Sequence, residues 1–131
     1  MKTYNELKLA QELIRFPTVK TEDKGIMKFL SKKLTTIGFK CKIIKSKGTG
    51  SKLALNLYAR YGKAKPHIMY LGHTDVVANL NNWKFPPFKA VLSKGYLNGR
   101  GAQDMKGGIA CWISAVSNFI KNIKFKGSIS I

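Results

Sequence analysis

Apolar residues recur at helical spacing in three segments of the chain, and two of the segments end on a clear stop signal. Residues 5–16 carry an apolar face and stop at Pro17, which cannot continue a helix. Residues 23–37 repeat the pattern and end at Gly38, where a glycine that closes a helix belongs. Residues 105–121 show the same spacing. The sequence therefore predicts three helices.

Strand patterns lie between and after these helices. Residues 39–45 alternate apolar side chains with lysines, residues 53–57 alternate again, and residues 46–52 between them have the composition of a hairpin turn. Residues 67–71, HIMYL, are apolar almost throughout, which is typical of a central buried strand. Residues 125–131, FKGSISI, alternate like a final strand. Helices interleaved with strands predict a layered α/β domain.

The order of elements suggests one domain that is incomplete. A short hairpin pattern at residues 88–97 interrupts a glycine-rich stretch before the third helix. The final strand pattern runs to Ile131 without a polar tail, whereas a domain rarely stops in the middle of a core pattern. We therefore expect residues 1–131 to be one part of a longer protein.

The charge of the chain is strongly positive, with 24 Lys and Arg against 6 Asp and Glu and a formal net charge of +18. Such a balance often indicates nucleic acid as a partner. Here the lysines are dispersed, and the only arginines are Arg15, Arg60 and Arg100. Proteins that read nucleic acid specifically rely on clustered arginines and aromatic platforms. We expect no specific nucleic-acid partner.

Membrane and secretory classes are also disfavoured by the sequence. No run reaches the roughly 18 apolar residues of a membrane span, and the charged N-terminus lacks the apolar core of a signal peptide. Cys41 and Cys111 lie far apart and form no CxxC pair. We expect two reduced, buried thiols in a cytoplasmic protein.

The first candidate for chemistry is LGHTDVV, which contains His73 and Asp75. Residues i and i+2 of a strand face the same side, so both side chains would project together beyond the apolar run. An imidazole suits a transition metal, and a nearby carboxylate can orient it. From these two residues alone, the pattern favours a structural histidine beside a turn-capping aspartate.

The second candidate is Asp104 in GRGAQDMKGG, directly before the third predicted helix. The plain alternative is a helix N-cap, a common position for aspartate. The surrounding glycines match neither the phosphate loop nor the dinucleotide fingerprint. A carboxylate presented from a rigid glycine-flanked loop fits a metal ligand, and it can bridge two cations as two-metal hydrolytic sites require.

LGHTDVV, NWKFPPF and GYLNGRGAQDMKGG, in this order, resemble the zinc-dependent amidohydrolase and exopeptidase family that includes acetylornithine deacetylase, carboxypeptidase G and aminoacylase. The likeness runs from about Arg15 to the last residue. It implies that residues 1–131 are the N-terminal half of a layered α/β/α catalytic domain with a mixed, mostly parallel sheet. It also implies truncation after a strand at Ile131, without the lid or dimerisation domain.

The resemblance implies a role for each candidate side chain. His73 would ligate one metal ion, Asp104 would bridge two, and Asp75 would hold and polarise His73. The cofactor would be Zn²⁺, two ions per complete site, with Co²⁺ as an alternative. The general base of the family is a glutamate expected after Ile131, so it is absent from this chain.

The family hydrolyses amides on the nitrogen of an amino acid, so the expected partner is a small acyl-amino-acid substrate. Within the family, the residues of GHTDVV, PPF and GRGAQDMKGGIAC most resemble members that act on N-succinyl-LL-2,6-diaminopimelate. N-acetylornithine and the substrates of other aminoacylases or carboxypeptidases stay open, and so does a different class, an inactive basic binding remnant. The full-length parent is expected to be a cytoplasmic homodimer.

Four further positions receive structural interpretations. His67 begins a strand outside the motif, and Trp83 packs with the following prolines beside the site. Arg100 is expected to pair with a carboxylate near Asp104, such as Asp75. Lys106 is expected to be a solvated residue at the start of the third helix.

Overall fold

The computed structural model describes residues 2–20, 22–47, 53–78 and 81–131. All three predicted helices form: α1 (Glu6–Ile14), α2 (Ile26–Thr35) and α3 (Gly107–Asn122). The side chain of Asn5 caps α1 by accepting from Lys8 N at 2.9 Å. Gly38 follows α2 with a positive φ of 94°, which glycine adopts at no steric cost.

Six strands form among the described residues: β1 (Lys40–Lys47), β2 (Leu53–Gly62), β3 (His67–Met69), β4 (Val91–Ser93), β5 (Tyr96–Asn98) and β6 (Ser128–Ser130). The order β1-β2-β6-β3 makes one sheet, and β4 pairs with β5 in the predicted short hairpin. Residues 48–52 of the predicted turn between β1 and β2 lie outside the described residues.

The main sheet is mixed, as predicted, but its parallel part is smaller than expected. β1 pairs with β2 and β2 with β6 in antiparallel register, whereas β3 and β6 run parallel. Within the described ranges, antiparallel pairings therefore outnumber the parallel one. The reason is local, since β1 and β2 are consecutive strands and pair directly with each other, which needs no helical crossover.

The core lies between the helices and one face of the main sheet. Buried residues of all three helices form one cluster with Ala59 of β2 and Ile129 of β6. Cys41 of β1 lies opposite Ala59 and contacts the same cluster, so it shares that face of the sheet. The α/β layering is thus confirmed, and the described residues supply the sheet and one helical layer.

β3 is an edge strand of the described sheet, so the prediction of a central buried strand is wrong for these residues. It pairs only with β6, and Ile68 and Met69 are 65% and 55% exposed. The apolar run carries the composition of a buried strand, but no described element lies against its outer edge. At the start of β3, His67 Nε2 lies 2.8 Å from Ser130 Oγ.

Neither cysteine is buried, which corrects the expectation of two buried thiols. Both are free, but Cys41 is half-buried at the margin of the core and Cys111 is exposed on α3. Cys111 follows the buried Ala110 on the helix and therefore points away from the core. Among the described residues, every helix is too short or too polar to cross a bilayer.

Candidate metal centre

His73 and Asp75 lie on an extended segment that continues from β3. Burial alternates along it, since Thr74 and Val76 are buried whereas His73 and Asp75 are exposed. The inward residues are anchored to the segment that follows α1, where Thr18 Oγ1 donates to Thr74 O at 2.5 Å and Val76 N donates to Thr18 O at 2.9 Å. This anchoring leaves the two candidate side chains on one outer face, as predicted.

Asp104 lies in a wide helical turn, Ala102–Lys106, that leads into α3. Gly101 precedes the turn with a positive φ of 85°, and Asp104 itself has an extended backbone with φ −123° and ψ 100°. Among the described residues, no side chain caps the first turn of α3. The N-cap interpretation of Asp104 is therefore wrong, because its carboxylate lies against His73 and makes no capping hydrogen bond to the first turn of α3. Its side chain is 80% exposed.

The fold brings the three candidates together around one imidazole. His73 Nε2 lies 3.1 Å from Asp104 Oδ1. On the other side of the ring, His73 Nδ1 lies 3.1 Å from the backbone oxygen of Asp75 and 3.3 Å from Asp75 Oδ1. Each ring nitrogen therefore faces an acceptor. A neutral imidazole has only one N–H, so it can donate to only one of these two acceptors. The other contact requires either a second proton on the ring or a metal ion.

The geometry of this pair fits a divalent metal. Two donors that each bind one ion at roughly 2.0–2.2 Å lie about 3.0–3.5 Å apart, and His73 Nε2 and Asp104 Oδ1 are within that spacing. Imidazole nitrogen with carboxylate oxygen is also a donor set that zinc accepts. Within the described ranges, no group of three His, Cys, Asp or Glu side chains is arranged to hold a metal ion.

A cleft of about 430 Å³ opens beside these side chains. Trp83 and Arg100 line it together with His73, Asp75 and Asp104. The guanidinium carbon of Arg100 lies 4.7 Å from the centre of the Trp83 ring, a cation–π contact. Trp83 therefore packs beside the candidate centre, in agreement with its structural interpretation, while the pairing of Arg100 with a carboxylate stays a prediction.

Lys106 is the position that the sequence interpretation placed wrongly. Its side chain is fully buried, and its Nζ donates to Phe16 O at 2.8 Å. Burial lowers the pKa of Lys106 to about 8, and the negative charge of Asp75 partly opposes that shift. Position 106 lies three and seven residues before Ile109 and Ile113, which are buried on the same face of α3. This helical register is the sequence signal that could have predicted the burial of Lys106.

Comparison with known proteins places the chain in a family. The profile of peptidase family M20/M25/M40 matches residues 69–131. The chain is 54% identical over 134 residues to a succinyl-diaminopimelate desuccinylase of Pelagibacter ubique, covering 100% of this chain and 35% of that protein. It is 44% identical over 124 residues to the Rhodospirillum rubrum protein of the same name, covering 95% of this chain and 32% of that one.

A solved structure supports the same fold. An M20 family metallo-carboxypeptidase from Sulfolobus solfataricus superposes with a TM-score of 0.80 at 21% identity, over 98% of this chain and 30% of that one. The α/β fold, the matching profile and the similarity along this chain agree, and the chain belongs to peptidase family M20/M25/M40. It spans about a third of the length of the curated relatives it matches.

Proposed function

We propose that the complete protein is a metal-dependent amide hydrolase, of which residues 1–131 form the N-terminal part of the catalytic domain. Its reaction is the hydrolysis of N-succinyl-LL-2,6-diaminopimelate to succinate and LL-2,6-diaminopimelate, a step towards lysine. The choice of acyl group is supported by the desuccinylase relatives at 54% and 44% identity. The hydrolase class is supported by one observation above all: His73 lies between Asp75 and Asp104 with an acceptor on each ring nitrogen.

His73 Nε2 and Asp104 Oδ1 would hold a divalent metal, with Zn²⁺ as the first candidate and Co²⁺ as the alternative. The carboxylate of Asp104 is largely exposed, which leaves it free to serve a second ion in a complete two-metal site. A bound zinc ion lowers the pKa of its water towards neutrality and polarises the amide carbonyl of the substrate. The general base and the remaining ligands would come from other parts of the complete protein.

Asp75 would orient the imidazole without binding the metal. Its backbone oxygen and its carboxylate both lie against His73 Nδ1, so the proton is held there and the lone pair of Nε2 is left for the metal. Residues that hold a metal-binding histidine in this way typically change metal affinity by about 10- to 100-fold when they are mutated.

The charge of the chain suits an anionic substrate. N-succinyl-LL-2,6-diaminopimelate carries several carboxylates, and a net charge of +18 would raise the local concentration of such a molecule. The free cysteines accord with a cytoplasmic location. In this proposal the complete protein is a cytoplasmic homodimer that acts on a small acylated amino acid and has neither a specific nucleic-acid partner nor a membrane partner.

The test is comparative turnover by the complete gene product, loaded with Zn²⁺ or Co²⁺ and again after chelation. The proposal expects kcat/KM for N-succinyl-LL-2,6-diaminopimelate to exceed that for N-acetylornithine by at least about tenfold, the discrimination that a few pocket contacts supply. Faster turnover of N-acetylornithine would reject the acyl group but keep the hydrolase class. No metal-dependent hydrolysis, together with salt-sensitive retention on DNA, would favour the basic binding remnant instead.

A further inference from the structure

One short segment contacts both parts of the candidate centre. These parts are the extended segment that carries His73, here called the histidine arm, and the turn that carries Asp104, here called the aspartate arm. Residues 16–20, here called the linking segment, follow α1 and run beside the segment that carries His73. Val19 and Val76 form a parallel bridge, and Lys20 N donates to Val76 O at 3.0 Å. Thr18 holds the same arm through its hydroxyl donation to Thr74. The histidine arm is therefore fixed to the linking segment on both sides of Asp75.

The other arm, which carries Asp104, reaches the linking segment through Lys106. The backbone N of Lys106 donates to Gly101 O at 3.0 Å, which closes the turn around Asp104. Its Nζ then donates to Phe16 O at 2.8 Å, at the start of the linking segment. A β-carbon on Gly101 would lie 3.0 Å from both Lys106 Cδ and Val76 Cγ1, so the lysine stem and the histidine arm both pack closely around this glycine.

A lysine is a costly way to fill this space. Burying an ammonium group carries a desolvation penalty, which one carbonyl acceptor and the nearby charge of Asp75 offset only in part. A methionine of similar length would fill the same volume without that penalty, and Phe16 O would still accept from Thr18 N at 2.9 Å. What the lysine adds is a directed bond from the Asp104 turn to the segment that holds His73.

We propose that Lys106 is a positioning residue that sets the spacing between His73 Nε2 and Asp104 Oδ1 by tying the Asp104 turn to the linking segment. Lys106 acts through Phe16 O and touches neither substrate nor metal. The inference rests on the proposed function, because the spacing matters only if the two donors share a metal ion.

The experiment compares the complete gene product with its Lys106→Met variant, using Co²⁺ as the probe. Three quantities are measured: the Co²⁺ dissociation constant with its visible absorption spectrum, the melting temperature of the metal-free protein, and kcat and KM. We expect the Co²⁺ affinity to fall about tenfold or more, as for other residues that orient metal ligands. The absorption bands should shift, and kcat should fall with little change in KM. The metal-free melting temperature should stay within about 5 °C of wild type.

Two further variants sharpen the result. Lys121→Met removes an exposed lysine from α3 and is the matched control, for which all three quantities should equal wild type. Thr18→Val breaks the bond from the middle of the linking segment to Thr74 O. If both residues act through this segment, the affinity loss of the Thr18→Val/Lys106→Met double variant should be smaller than the product of the single losses.

The outcomes separate this inference from the proposed function. If wild type binds no Co²⁺, the metal site and the positioning role fall together. If wild type binds and Lys106→Met binds equally well with an unchanged spectrum, only the positioning role is overturned. If the metal-free Lys106→Met protein melts far below wild type, Lys106 serves general stability and the positioning role is again rejected. Independent losses in the double variant would also reject the route through the linking segment.

Discussion

His73 Nε2 lies 3.1 Å from Asp104 Oδ1, although 31 positions separate the two residues in the chain. Their approach depends on two unrelated local structures, an extended segment after β3 and a wide turn before α3. Asp75 occupies the other nitrogen of the same ring. Two acceptor oxygens on opposite sides of one exposed imidazole contribute little to stability, since exposed charged contacts are weak. The arrangement therefore points to a bound cation.

The two histidines should differ sharply when each is replaced by alanine in the complete gene product. His73→Ala removes a proposed ligand and should lower kcat/KM by at least about a hundredfold, beyond the range for residues that only orient a ligand. His67→Ala removes a contact between the edge strand β3 and Ser130 Oγ of β6. It should cost about 1 kcal/mol of stability and leave kcat/KM within about twofold. Steady-state kinetics with the succinylated substrate measure both, and equal losses would show that the wrong histidine has been assigned.

Asp75→Asn should weaken metal binding moderately. The amide keeps the shape of the side chain but removes its charge, while the backbone oxygen of residue 75 still faces His73 Nδ1 at 3.1 Å. We therefore expect a loss of Co²⁺ affinity of about tenfold, the lower end of the range for such partners. Calorimetric titration of the complete gene product measures it.

Glu12→Gln is the charge-matched control for that variant. It neutralises a carboxylate that pairs with Lys33 at 2.6 Å on the helical layer, and such partly exposed pairs contribute little. Its Co²⁺ affinity should equal that of wild type. An orienting role for Asp75 would be contradicted by an unchanged Co²⁺ affinity in Asp75→Asn. It would also be contradicted if Asp75→Asn lost as much Co²⁺ affinity as His73→Ala.

The sequence alone predicted those parts of the candidate centre in which the two-residue period of an extended segment decides the direction of a side chain. The i, i+2 rule placed His73 and Asp75 on one face, and the alternating burial of Thr74 and Val76 is the structural form of that rule. The meeting of His73 with Asp104 could not be derived from spacing, because it depends on how two distant arms pack. Family resemblance implied both as metal ligands, and the fold brings them together.

Lys106 and β3 show where sequence reasoning was insufficient, for opposite reasons. A lysine beside two glycines suggests solvent, yet the register of α3 directs this one into the core, where it donates a hydrogen bond to Phe16 O. Ile68 and Met69 suggest burial, yet β3 has a neighbour on only one edge within the described residues. Burial is a property of the assembled layers, and composition reports it only where the neighbouring element is also known.

A protein made of residues 1–131 alone should bind Co²⁺ weakly. His73 and Asp104 supply two donors, whereas a catalytic zinc site normally has three protein ligands. We expect an affinity at least roughly a hundredfold below that of the complete gene product, and no hydrolysis of the succinylated substrate. Calorimetric titration measures the affinity, with circular dichroism to establish that the helices are formed. Two tight, stoichiometric sites on this chain would contradict the assignment of ligands.

The adjacent glycines at the start of α3 offer a final test of how the Asp104 turn is held. A β-carbon on Gly107 would collide with the backbone oxygen of Ala102, whereas one on Gly108 would meet only the movable Tyr70 hydroxyl, at 2.9 Å. Gly107→Ala should therefore destabilise the protein by about 1–3 kcal/mol through overpacking, and it should weaken Co²⁺ binding by displacing Asp104.

Gly108→Ala provides the matched comparison one residue further along. Alanine is favoured over glycine inside a helix by about 1 kcal/mol, which offsets the displacement of Tyr70. Its melting temperature and its Co²⁺ affinity should therefore stay close to wild type in the complete gene product. Scanning calorimetry of the metal-free proteins, followed by Co²⁺ titration, measures both effects. Equal behaviour of the two variants would mean that the backbone contact between Gly107 and Ala102 does not hold the turn that presents Asp104.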